Sequence, residues 1–290
     1  MKGEVVSQPP KSVSSYLTEA FFGGEQICET VPIHAAYIHH FLTPGGGARV
    51  GLTQSCSSLL GISEENSNRL AAAVECLHNA SLVQDDLQDE SAMRRGRESV
   101  VSKFGIHIAL GLTDRLITSS FACLAGVTPS SALPRLILQI NRAVAEIVEG
   151  QIGEFAQGTE IGSLENRLDS SKKKSGPFFA LTIELPLILA NQLEYLEPAH
   201  RGGCLFGLGY QFLDDLTDQA ADADHSSNGN LILAMKEDAG GDSAAPLGAE
   251  LARGFFRDAV TQVEKLPHGA GEPLIDLAKR LCKQLDAFDS

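Results

Sequence analysis

Basic residues are the scarce class. The chain has 290 residues, with 23 Lys and Arg against 37 Asp and Glu, for a formal net charge of −14. So acidic a surface does not suit a nucleic acid, whose phosphates need a basic face, and no such partner is expected. An anionic substrate stays open if divalent metal screens the carboxylates. The cysteines Cys28, Cys56, Cys76, Cys123, Cys204 and Cys282 form no C-x-x-C pair. Their wide spacing argues against a disulfide scaffold and against a zinc site, and points to buried or free thiols in a reducing compartment. The segment Met1 to Ser15 is polar and lacks an apolar h-region, so no signal peptide is visible and residues 1–15 are expected to be flexible. Apolar runs fall far short of the roughly 20 residues of a membrane span. A soluble cytoplasmic protein without a span is expected. Strand-like alternation is also rare.

What is present reads as helix after helix. Apolar residues make up 43% of the chain, enough for a core, and Ala and Leu dominate them. Ser63 is an N-cap candidate, with Glu64 and Glu65 in the first turn behind it. That helix is predicted over about Glu64 to Asp89. Others are predicted over Arg135 to Gln157, Phe178 to Leu193 with a kink at Pro186, and Ala199 to Asp218. Loops are expected at Thr43 to Gly47, Gly158 to Gly176 and Ala221 to Asn230. With no solenoid repeat, one all-α domain over residues 1–290 is the simplest architecture.

Two clusters carry the chemistry: Asp85-Asp86-Leu87-Gln88-Asp89 and Asp214-Asp215-Leu216-Thr217-Asp218. At 3.6 residues per turn, the first and last carboxylates of each lie nearly in line and the middle one about 100° round. Such a pair suits magnesium, which takes one or two carboxylates plus substrate phosphate oxygens. Like charges at i,i+4 repel, so a chain carrying two such clusters behind apolar runs holds them for a purpose. They are expected to cap buried helices. Arg94-Arg95-Gly96 follows the first cluster, and a guanidinium suits bidentate phosphate contact. Lys174-Ser175 is expected just ahead of a helix, where free N–H groups would meet an anion. Gly150-Gln151 suggests a close approach of the backbone to the cavity. His39 and His40 read as surface or interface residues.

The stretch His78-Asn79-Ala80-Ser81-Leu82-Val83-Gln84-Asp85-Asp86-Leu87-Gln88-Asp89, followed by Arg94-Arg95-Gly96, resembles the first aspartate-rich region of trans-isoprenyl diphosphate synthases. It looks most like the geranylgeranyl diphosphate synthase branch. Tyr210-Gln211-Phe212-Leu213-Asp214-Asp215-Leu216-Thr217-Asp218 resembles the second region. The resemblance implies an all-α isoprenoid-synthase helical bundle around a central cavity, a homodimer, and three magnesium ions. By it, Asp85, Asp86, Asp89, Asp214 and Asp218 would hold magnesium, with Asp215 in support. Arg94 and Lys174, beside Ser175 and with help from Gln211, would hold the allylic diphosphate. Arg49, His78 and Arg95 would hold isopentenyl diphosphate. Small residues at Ala80 and Ser81, a turn deeper than Asp85, would leave room for a longer product, unless Phe121 sets the floor.

The chain departs from the family pattern in two places. The segment Pro44-Gly45-Gly46-Gly47-Ala48-Arg49 keeps the family's arginine as Arg49 but has Gly46 in place of its lysine. The stretch Gln219 to Asn230 lacks the family's glycine-lysine, and Lys236 stands in another context. Three readings follow. The chain elongates an allylic diphosphate with isopentenyl diphosphate, ionises a preformed prenyl diphosphate as a class I terpene synthase does, or serves as a non-catalytic subunit of a synthase.

Overall fold

The computed structural model describes residues 11–43, 45–156, 164–225, 230–233, 235 and 244–288, without the side chains of 154–156 and 218–225. Its long elements are helices. They are α1 (Val13–Phe22), α2 (Pro32–Phe41), α3 (Ala48–Leu59), α4 (Glu64–Gln88), α5 (Val100–Phe104), α6 (Ile106–Cys123), α7 (Leu133–Ala156), α8 (Leu164–Leu189), α9 (Leu196–His225), α10 (Ala244–Val263) and α11 (Glu272–Leu285). Residues 13–15 are therefore helical, inside the stretch expected to be flexible.

Ser63 caps α4 as its sequence implies: the hydroxyl accepts from the Asn66 N–H, and Glu64 and Glu65 complement the dipole. Between α4 and α5 lies a two-stranded hairpin, β1 (Met93–Arg94) and β2 (Arg97–Glu98), with Arg94 opposite Arg97. Its two-residue turn, Arg95-Gly96, has φ of 51° and 76°. Positive φ at both positions matches the twist of the flanking strands. Gly96 adopts it freely; Arg95 does so against its Cβ.

The α8 helix is the shared wall. Phe178, Leu181, Leu185 and Ile188 face a cluster built with α1, α2, α4, α6 and α7. Phe179, Ile183 and Leu187 face another built with α3, α9, α10 and α11. A helix covered on both sides is apolar all round. Each such side chain stabilises the fold by about 1.5–3 kcal/mol relative to exposure. The helix runs through Pro177 and Pro186 without a break.

Two loop expectations are corrected. Residues 164–176 are the first half of α8, not loop. Their polar side chains are those of a solvent-facing turn, and Asp169 pairs with Lys173 one turn on at 2.9 Å. Likewise, α9 continues to His225; residues 226–229 and Lys236 lie outside the described residues. The apolar-run expectation also needs amending. Ile106–Gly126 has the length and composition of a span, with mean hydropathy 1.3. Here Ala109, Leu112 and Leu116 are buried in the core.

Small residues let α7, α8 and α9 cross closely. A Cβ at Gly150 would sit 2.5 Å from the Lys174 nitrogen, and one at Gly207 would sit 2.6 Å from the Gly176 Cα. The close approach at Gly150 is to the backbone of α8, where the sequence suggests the cavity.

Candidate active site

The last turn of α4 presents the first cluster. Asp85 is partly exposed, and Asp89 is the exposed C-cap residue whose N–H donates to the Asp85 carbonyl. Asp86, about 100° round the helix, is buried. Arg94 donates to its Oδ1 through Nε at 2.9 Å and Nη2 at 2.7 Å. Burial pushes the Asp86 carboxyl up, and the Arg94 hydrogen bond partly offsets this. Burial also disfavours the Arg94 charge, but Asp86, with Asp85 and Asp89 behind it, reverses that and raises the guanidinium. The Asp86 Oδ2 is buried with no hydrogen-bond partner.

Lys174 and Ser175 tie this cluster to the second one. Lys174 Nζ lies 3.6 Å from Asp85 Oδ1. Ser175 donates to Gln211 Oε1 at 2.9 Å, and Gln211 Nε2 donates to Asp215 Oδ1 at 2.7 Å. Both Lys174 and Ser175 sit well inside α8, not ahead of it. Their N–H groups belong to the helix ladder, so the expected N-terminal anion pocket does not form at these two residues, and what Lys174 brings to Asp85 is its ammonium.

The second cluster is likewise not at a helix end, because α9 runs on past it. Asp214 is exposed. Asp215 is turned inward, where its Oδ2 accepts from the Leu231 N–H at 2.8 Å and its carbonyl from Asn230 Nδ2 at 3.0 Å. The backbone of Asp218 lies on α9, and its side chain is outside the description.

A second cationic group stands beside the first. Arg49, near the start of α3, donates through Nη1 to His78 Nε2 at 3.2 Å, and its guanidinium lies 4.4 Å from the Phe179 ring centre. Burial, with the charges of Arg49 and Arg95, holds His78 well below its ordinary pKa. A neutral His78 that accepts at Nε2 carries its proton on Nδ1. That Nδ1 and Arg49 Nε are both buried with no hydrogen-bond partner. Burial lowers the Arg49 pKa too, while Tyr210, Glu75 and Asp214 favour its charge. Arg95 Nη1 donates to the Thr43 carbonyl at 3.0 Å, and its guanidinium fills the space where Gly45 lacks a side chain. Hence Arg49, His78, Arg95 and the glycine segment gather at one place.

His39 and His40 are not surface residues. His40 donates to Asn79 Oδ1 at 2.9 Å and His39 donates to the Glu98 carbonyl at 2.8 Å, both from Nε2. They fasten α2 to α4 and to the arginine hairpin. Both are buried, His39 in a T-shaped contact with Phe104 and His40 in one with Phe41. Sequence reasoning missed Glu75, Phe179 and Tyr210. Only Glu75 left a local signal, being three residues before His78 on the same helical face.

Along α4, Ala80 is buried and Ser81 is partly buried with its hydroxyl bonded to the His78 carbonyl. Phe121 packs into the same apolar cluster from α6.

The donor set suits magnesium. Hard carboxylate oxygens stand one turn apart on α4, and Asp86 Oδ2 is a buried oxygen without a partner.

The polyprenyl synthetase family profile matches residues 31–229. A geranylgeranyl pyrophosphate synthase of Geoglobus acetivorans is 30% identical over 222 residues, 75% of this chain and 68% of that protein. A geranylgeranyl diphosphate synthase of Pantoea ananas is 32% identical over 206 residues, covering 68% of each. The solved geranylgeranyl pyrophosphate synthetase of Geoglobus acetivorans superposes with a TM-score of 0.80 at 23% identity, over 93% of this chain and 99% of that one. At that identity, the likeness establishes the isoprenoid-synthase fold alone. The profile match takes in both aspartate clusters and both cationic groups, and with these relatives it places the chain in the polyprenyl synthetase family, as a trans-isoprenyl diphosphate synthase and a prenyltransferase.

Proposed function

We propose that this chain joins isopentenyl diphosphate to an allylic diphosphate, giving a product of geranylgeranyl type, and that the residues described above divide that work between two diphosphates. The observation that carries this reading is the pair of neighbouring cationic groups. Lys174 and Arg94 stand at the carboxylates, and Arg49, His78 and Arg95 form a separate group with buried, unpartnered donors at Arg49 Nε and His78 Nδ1.

Asp85, Asp86, Asp89, Asp214 and Asp218 would hold magnesium, three ions by family habit, while Asp215 braces the second cluster. When bound, the metal neutralises charge on the allylic diphosphate as it leaves. Lys174 places an ammonium at the same departing group. Arg94 spends Nε and Nη2 on Asp86 and keeps Nη1 for a phosphate oxygen. These donors act where charge develops and are already oriented. Ser175 and Gln211 fix the facing side. The apolar face of α8 at Phe178, packed with Ala80 and Val83 of α4 in one cluster, excludes water from the carbocation. Arg49, His78 and Arg95 orient the second diphosphate so that its alkene meets the cation. The proton lost afterwards goes to the departing diphosphate, and no side chain is assigned as base. Ala80 and Ser81 leave the floor of the cavity open to a longer chain.

A cytoplasmic homodimer is the proposed setting. Exposed Leu138 and Ile152 on α7, with Ile106 and Leu110 on α6, supply apolar surface for a second copy.

The test is turnover of farnesyl diphosphate with magnesium, with and without isopentenyl diphosphate, read by product mass. A longer diphosphate formed only with both substrates supports the proposal. A hydrocarbon or alcohol from the allylic substrate alone would replace it with the terpene synthase reading. Binding without turnover would replace it with a subunit role. The terpene synthase reading rests on Gly46 and on the glycine-lysine missing between Gln219 and Asn230, and the named relatives are synthases.

A further inference from the structure

Away from the diphosphate site, two helices bring a mixed carboxylate, imidazole and thiol ligand set together. His200 and Cys204 are one turn apart on α9, and Glu146 reaches them from α7. His200 Nε2 lies 3.5 Å from Glu146 Oε2 and 3.6 Å from Cys204 Sγ. With metal–ligand bonds of about 2.0 Å to nitrogen or oxygen and 2.3 Å to sulfur, a tetrahedral zinc shell has edges of roughly 3.3–3.6 Å. The three ligand atoms all lie within 4.8 Å of one another.

The next layer is also present. Glu184 on α8, only 2% exposed, accepts from His200 Nδ1 at 3.0 Å. This arrangement fixes the imidazole and turns Nε2 toward the other ligands, as carboxylates behind metal-bound histidines do. Cys204 is held in place by the close crossing of α8 and α9, where a Cβ on Gly176 would lie 3.1 Å from Cys204 Sγ. His200 and Glu146 are partly exposed, which leaves an entry path.

We propose that His200 Nε2, Cys204 Sγ and the Glu146 carboxylate form a site for one zinc-class ion, with Glu184 as the positioning carboxylate and water as the fourth ligand. The thiolate makes it a site for soft divalent metal, unlike the all-oxygen clusters that suit magnesium. Binding releases the Cys204 thiol proton, and with it any proton held on His200 Nε2. Without metal, hydrogen bonding to Cys204 and Glu184 raises the His200 pKa to about 11, so the ion replaces a well-held proton. Once bound, it clamps α7, α8 and α9, two of which carry Lys174, Ser175, Gln211 and Asp214.

The test is cobalt titration of the chelator-treated protein in excess magnesium, which occupies the oxygen clusters. The expected result is one equivalent of cobalt, a thiolate-to-cobalt absorption band that zinc abolishes, and a rise in thermal midpoint. Cys204→Ser should remove the band. Glu184→Gln, which keeps all three ligands, should weaken binding roughly 10–100-fold. No band, or a band that survives Cys204→Ser, overturns the proposal. Should Cys204→Ser fail to fold, Glu146→Gln decides: binding as tight as in the unaltered protein is the overturning result.

Discussion

Gln211 Nε2 donates to Asp215 Oδ1 at 2.7 Å, which turns the middle carboxylate of the second cluster away from its neighbour Asp214. Adjacent residues with the same formal charge therefore do different things. Asp214→Asn should lower kcat at least about a hundredfold and leave the unfolding midpoint unchanged or higher. Asp215→Ala strips the Leu231 N–H and Gln211 of their acceptor and should cost about 1–3 kcal/mol in denaturant unfolding. Matching effects from both would refute the division.

Asp85 and Lys174 stand 3.6 Å apart. Asp85→Ala should abolish turnover while leaving the circular dichroism spectrum unchanged. Lys174→Gln should lower kcat and also loosen the allylic substrate, because the ammonium meets the diphosphate both before and during its departure. Steady-state kinetics with the allylic substrate varied separates the two effects.

Gly46 has open space around a built Cβ and lacks a positive φ. Gly46→Lys should therefore fold normally. One added charge-assisted contact corresponds to about 1.5–3 kcal/mol, so KM for isopentenyl diphosphate should fall by roughly tenfold or more. KM for the allylic substrate should stay put. An unchanged acceptor KM would place the second diphosphate elsewhere.

Burial lowers the His40 pKa to about 4, beneath its ordinary 6.5. The folded state thus favours the neutral ring, and protonation favours unfolding. Stability from this residue is complete above pH 6.5 and is lost as pH falls toward 4. At about 1.4 kcal/mol per pH unit, the loss is on the order of 3 kcal/mol. His40→Gln should flatten the pH dependence of unfolding across that window, whatever its fixed cost at pH 7. A slope identical to the unaltered protein's would count against a neutral His40.

At the α8–α9 crossing, Gly207 meets the Gly176 backbone. A methyl there cannot be relieved by rotating a side chain. Gly207→Ala should destabilise by about 1–3 kcal/mol, against the slight gain alanine gives in an open helix. Thermal or denaturant unfolding will show which sign holds.

The all-helical reading and the start of α4 were legible because they follow from composition and caps, whereas the place of Arg94 and Lys174 beside the carboxylates came from charge and the family resemblance. The first half of α8 was not. Residues 164–176 have loop composition, yet they are held by an ion pair along the helix and by the α7 and α9 crossings, which no local window contains. The burial of His39 and His40 was hidden for the same reason: their partners, Glu98 and Asn79, lie some 59 and 39 residues away. Cysteine spacing alone argued against zinc. His200 and Cys204 acquire their significance only when Glu146 and Glu184 arrive from other helices.

The hairpin after α4 sorts its two consecutive arginines, Arg94 and Arg95, by parity. Arg94 closes a strand and faces Asp86, while Arg95 opens the turn and faces Thr43 and Gly45. Neighbouring cations, one peptide unit apart, are thereby dealt to different anions. Deleting Gly96 would keep both cations and the net charge yet remove the turn that separates them.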